Sequence, residues 1–264
     1  MRLGVPLSIA LLTVLISASP AVKQHDGALE RKITVLMGQL DAYNGLSPFH
    51  EGDYEVIVPL QNTIMTGLLD VLNDPHITPD DLKKLSGAHG MGSTGSADGR
   101  VRSFSIDEKT GGTFRSNLSV MRYVLSDGQV VAERLGDTED GDGLSASTFY
   151  EIHGLDNLDR RYLGLANVVT CGTCIAKFAV EFTLDSANVA MKTIEEFDGR
   201  EFHSLAFEYE EATRSILYDD LEETSDTVGG VPMQRRFSGR WQDNGAEFVL
   251  VEACERLQPV VPGR

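Results

Sequence analysis

Between residues 27 and 43, Leu29, Ile33, Leu36, Met37 and Leu40 recur three or four positions apart. That spacing paints one apolar stripe and predicts a helix of about four turns, ending near Asn44-Gly45. Val56, Leu60, Ile64, Leu68 and Leu72 recur at every fourth position and predict a second helix over residues 54–72, or from Val58 if Pro59 belongs to its first turn. Thr78-Pro79-Asp80-Asp81 signals a third, short helix. Thr78 can cap it, Pro79 suits the first helical position, the two acids suit the positive end of the dipole, and Leu82 and Leu85 supply a face. Residues 86–99 are rich in Gly and Ser with little to bury, and read as a linker.

The period changes from Val101 onward. Short alternating or β-branched runs are separated by turn dipeptides at Asp98-Gly99, Gly111-Gly112, Asp127-Gly128, Asp198-Gly199, Gly229-Gly230 and Asn244-Gly245. This is the pattern of antiparallel strands joined by tight hairpins. One hairpin is expected around Ser126-Asp127-Gly128 and another around Asn244-Gly245, with further strands over 162–169, 174–184, 189–197, 204–209 and 215–218. The fold class that follows is α+β: a helical N-terminal segment, then an antiparallel β domain of about eight to ten strands. Sandwich, incomplete barrel and propeller fragment all stay open, because hairpins define neighbours but not closure.

The first residues give an address. Arg2 precedes the apolar run Ile9 to Ile16, which is short for a membrane span, and Ser19 and Ala21 suit a cleavage after Ala21. The segment 1–21 therefore reads as a signal peptide, and the protein as exported, periplasmic or secreted. An uncleaved anchor is the alternative, disfavoured by the lack of flanking charge to stop transfer. The expected organisation is thus signal peptide 1–21, helical segment 22–86, linker 87–99, β domain 100–258 and tail 259–264. No later run is apolar for long enough to be a membrane helix.

Charge narrows the partners. With 23 basic and 40 acidic residues the formal net charge is −17, and loss of Arg2 takes it to −18. Nucleic acid and anionic lipid head groups are poor partners for such a surface.

The stretch from Ser96 to Thr113 is the most distinctive in the chain: Asp98-Gly99-Arg100, then Phe104-Ser105-Ile106-Asp107, then Thr110-Gly111-Gly112-Thr113. It resembles uncharacterised exported proteins of bacterial type that carry this serine, Asp-Gly turn, basic residue, aromatic strand and Thr-Gly-Gly-Thr pattern. The resemblance extends through Phe149 to Ile152 and Arg161 to Leu165. It implies a helical leader followed by a β domain, and it brings no catalytic residue with it. By alternation alone, Val101, Ser103 and Ser105 face one way, and Arg102, Phe104 and Ile106 the other.

Candidate chemistry is sparse. The three cysteines, Cys171, Cys174 and Cys254, would meet an oxidising compartment. Cys171-Gly172-Thr173-Cys174 lies between two strand patterns rather than at a helix N-terminus, which argues against a redox dithiol. A structural disulfide is expected instead, either closing that turn or bridging one of the pair to Cys254, with one thiol left over. Asp137, Glu139, Asp140 and Asp142 gather carboxylates in a Gly-containing loop that could hold calcium, although the spacing is not that of an EF-hand. No other cofactor is indicated. The six histidines are scattered, and no G-x-S-x-G occurs. Non-enzymatic binding of a cell-envelope or extracellular partner is the leading expectation. A hydrolase using paired carboxylates, supported by calcium, is the alternative.

Overall fold

The computed structural model describes residues 20–86, 90–109, 116–136, 147–156, 160–169, 175–186, 189–194 and 206–260. Among the described residues three helices, α1 (Pro20–Asn44), α2 (Asp53–Leu72) and α3 (Pro79–Leu85), precede twelve strands. The class is α+β, as the change of period indicates.

Leu29, Ile33, Leu36, Leu40 and Tyr43 are buried along α1, the expected stripe extended by one turn. On α2 the burial differs from the four-residue row. Such a row advances about 40° around the axis at each step. Val56 therefore ends in solvent at 50% exposure, while Ile57 takes the buried place ahead of Ile64, Leu68 and Leu72. The helix runs through the exposed Pro59 rather than starting at Val58. The α3 cap forms fully. Thr78 accepts from the Asp81 N–H at 3.2 Å while the Asp81 carboxylate accepts from the Thr78 N–H at 3.2 Å.

The strands make three four-stranded antiparallel meanders. The first joins β1 (Met91–Gly95), β2 (Val101–Asp107), β3 (Asn117–Val124) and β4 (Val130–Arg134). The second joins β5 (Thr148–Gly154), β6 (Arg161–Val169), β7 (Ile175–Leu184) and β8 (Val189–Thr193). The third joins β9 (Ala206–Glu210), β10 (Ser215–Val228), β11 (Val231–Asp243) and β12 (Phe248–Pro259). Strand β1 corrects the linker reading of residues 87–99. Its glycines look like loop because the neighbouring strand fills the space they leave: a Cβ on Gly92 would sit 2.9 Å from Ser105 Oγ. Strand β10 runs ten residues beyond the expected 215–218, paired along its length with β11.

Three cores stack these layers. Phe104, Ile106 and Val120 of the first sheet pack against the helices. The opposite face, with Val101, Met121 and Tyr123, packs on Phe149, Tyr162 and Phe182 of the second sheet. Leu163, Leu165 and Ala179 on the far side of that sheet meet Phe207, Ile216, Trp241 and Phe248 of the third. The first strands of successive sheets approach one another: β1 lies beside β5, and the Tyr150 hydroxyl of β5 donates to the Phe207 carbonyl of β9 at 3.2 Å. The sheets are thus four-stranded meanders stacked in chain order with their first strands adjacent, and no barrel closes among the described residues.

Gly164 shows how tight the middle core is. A Cβ there would come within 2.6 Å of a Phe149 ring carbon and 2.7 Å of one in Phe182. Both rings are buried and cannot swing aside. Gly164→Ala is expected to destabilise the protein by about 1–3 kcal/mol, despite the backbone gain that alanine normally brings to a strand. Urea unfolding followed by circular dichroism measures it.

Candidate functional site

The distinctive Asp98-Gly99-Arg100 stretch forms the β1–β2 turn, with Gly99 in the left-handed region at φ 74°. Asp98 Oδ1 accepts from Ser96 Oγ and from the Arg100 N–H, and Oδ2 accepts from the Tyr162 hydroxyl at 2.6 Å. Burial works against its ionisation, yet these three donors hold the carboxyl below the usual carboxylate range. The turn is thereby pinned to the second sheet. At the other end of β2, Asp107 accepts from the Lys109 N–H at 2.8 Å, and its carbonyl takes the Tyr43 hydroxyl at 2.7 Å. Lys109 Nζ donates to the carbonyls of Tyr43, Asn44 and Leu46, closing the C-terminal end of α1 with a positive charge. The motif binds layers of the fold together. Gly111 and Gly112 lie outside the described residues.

So do Cys171 and Cys174, and the calcium candidates Asp137, Glu139, Asp140 and Asp142. Cys254 is a free thiol. It stands on β12 opposite Ser238, with Arg256 Nε donating to its sulfur at 3.3 Å. Among the described residues no three His, Cys, Asp or Glu side chains are grouped to hold a metal. Among them, too, no helix is long and apolar enough to cross a membrane.

The densest polar cluster is one that the sequence did not reveal. Where the second and third sheets meet, Arg161 donates from Nε to Glu181 at 2.7 Å and from Nη1 to Asp243 at 3.2 Å. Arg214, held at φ 52° just before β10, donates to the other Asp243 oxygen. The Asp243 side chain has no exposed surface. Burial would raise its pKa, but the Gly245 N–H and the two guanidinium groups hold it below the ordinary value. On the same face of β5, His153 Nε2 lies 2.9 Å from Glu151 Oε2, and its ring centroid is 4.8 Å from that of Tyr209. Arg161, Glu181, Arg214 and Asp243 each have a partner of opposite sign. The cluster locks two sheets together rather than waiting for a ligand.

Glu133 offers different chemistry. It is half-buried against the hydroxyl of Tyr123, and burial raises its pKa, the direction a proton donor requires.

The α1–α2 turn presents the opposite of a buried site. Phe49 is 79% exposed, and Tyr54 and Val58, one helical turn apart, are 60% and 47% exposed. The turn is ordered. Asp53 accepts from the Ser47 N–H at 2.9 Å, the Phe49 N–H donates to Ser47 Oγ at 3.3 Å, and Gly52 takes φ 88°. Phe49 is thus held outward at the apex, with Glu51, Asp53 and Glu55 around it. Its position outside both helical stripes was the available sequence signal, since an aromatic with no stripe to join has no local reason to be buried.

Comparison with protein families, with curated proteins and with solved structures yields no match.

Proposed function

We propose that this is an exported, non-enzymatic binding protein that docks on a protein partner of the cell envelope through its α1–α2 turn. The observation that carries the reading is Phe49, 79% exposed on a turn that hydrogen bonds keep in place. A large apolar side chain carried on a backbone that hydrogen bonds hold in place needs little reordering of the turn on docking and suits the role of an anchor. Its acidic surroundings select the partner: an apolar pocket rimmed by basic residues complements Glu51, Asp53 and Glu55, whereas an anionic lipid surface is repelled. Export fits the architecture as well. Cleavage after Ala21 leaves every buried position described on α1, from Leu29 onward, in the mature chain.

Phe49→p-benzoylphenylalanine, expressed in the cell that makes the protein, is expected to give one discrete photo-crosslinked species in the exported fraction. The same photoreactive residue at Val35, which is 59% exposed elsewhere on α1, is expected to give none. The Glu51→Lys/Glu55→Lys pair should abolish the crosslink. A crosslink as strong from position 35, or one indifferent to charge reversal, contradicts this docking surface. N-terminal sequencing of the same sample is expected to begin at Val22. The hydrolase alternative draws on Glu133, and loss of chromogenic glycoside turnover in Glu133→Gln alone would favour it.

A further inference from the structure

On the helix-facing side of the first sheet, antiparallel pairing sets Arg102 of β2 directly opposite Arg122 of β3. Two positive charges at such a pair repel at Cβ separations of about 4.5–5.5 Å, and proteins ordinarily put a carboxylate beside them. Among the described residues none is supplied. Arg122 is 6% exposed, and among the described residues no ion pair engages it. Its Nε is buried without a partner, as are the Arg102 Nε and the Ser93 Oγ of β1.

The three orphaned groups share one face. Ser93 pairs in register with Phe104, whose ring points to the helices, and Arg102 lies two residues before Phe104 on the same strand. Gly95 makes room. The Arg102 guanidinium lies where a Cβ on Gly95 would meet Nε, Cζ and Nη2 at 3.2 Å. Arg102 is oriented from its other end, donating from Nη1 to Ser86 Oγ at 3.2 Å, while that hydroxyl donates to the Leu82 carbonyl at 2.8 Å where α3 ends. Burial, and then the Arg102 charge, lower the pKa of Arg122, so the protein works against its own cation here. In a chain with 40 acidic residues, none of the described ones pairs with these two apposed arginines, which leaves their charge to be met by an anion from outside.

We propose that Arg102, Arg122 and Ser93 form a binding site for a small doubly charged tetrahedral oxyanion, a phosphate or the phosphate group of a small monoester. Two guanidinium groups match its charge, and the hydroxyl from the third strand supplies a donor from a different direction. The site lies in the first sheet, apart from the docking turn, and stands whether or not that turn binds a partner.

The test is isothermal titration and thermal unfolding of the full mature chain in inorganic phosphate, with chloride at equal ionic strength as reference. Phosphate is expected to bind with one-to-one stoichiometry and to raise Tm with concentration, as a ligand of the folded state must. Arg122→Leu should remove the response while leaving Tm in chloride unchanged or higher, because an unpaired buried charge is gone. Ser93→Ala, a change too small to threaten folding, should weaken phosphate binding about tenfold. Glycerol phosphate binding more tightly than inorganic phosphate identifies a monoester as the ligand, and the reverse identifies the free ion. No shift beyond chloride, an equal shift with acetate, or a phosphate response that survives both substitutions overturns the proposal.

Discussion

Asp243→Ala is expected to destabilise the protein by about 3–5 kcal/mol, measured by urea unfolding at neutral pH. The cost arises from what the carboxylate leaves behind rather than from the worth of the ion pair. Arg161, whose side chain is 11% exposed, would keep only Glu181; Arg214 would lose its acceptor, and so would the Gly245 N–H. Asp243→Asn keeps oxygen for one of these donors and should fall between the wild type and alanine. The same residue sets an acid limit. Its pKa in the folded state lies below the unfolded value, so its contribution is complete above about pH 4 and is lost as pH falls through the depressed value. Thermal melts from pH 6 to pH 2 should therefore show a shallower acid decline in Asp243→Ala. A residual decline is expected there, because Asp98 is depressed in the same direction and is untouched.

Phe182→Ala should cost about 3–5 kcal/mol by the same measurement. The ring is fully buried between the first and second sheets, with its centroid 5.6 Å from that of Phe149 and 6.1 Å from that of Tyr123. Truncation opens a cavity bounded by two aromatic rings whose backbones lie in separate sheets, so neither can collapse far into it. Because Phe182 is also one of the two walls over Gly164, the Gly164→Ala penalty should shrink in the Phe182→Ala background. A double-mutant cycle reads that coupling, and strict additivity would mean that the two positions do not share this space.

Much of the local structure was legible in the chain. The α1 stripe, the Thr78 cap and the turns at Gly99, Gly128, Gly229-Gly230 and Gly245 each depend on residues within a few positions of one another, and each formed. The α2 register departs from the four-residue row at its first turn because such a row resembles a face until its drift around the axis accumulates. Strand β1 was hidden for a related reason. Its glycines are small to admit Arg102 and Ser105 from the next strand, and nothing within residues 91–95 reveals that occupant.

The candidate sites divide along the same line. Phe49 could be singled out from sequence, since an aromatic between two helices belongs to neither stripe. Arg102 and Arg122 read as ordinary polar positions on alternating strands until the register sets them opposite each other. Asp243 and Arg161 lie 82 residues apart, and only the packing of the third sheet on the second joins them. By itself the sequence determined the three helices, the change to strands and the tight turns between them, because side-chain period and turn conformation are local properties of the backbone. The tertiary structure alone decided which faces meet, and therefore which charges are neutralised and which are left over, because burial and pairing depend on neighbours that the chain supplies from far away.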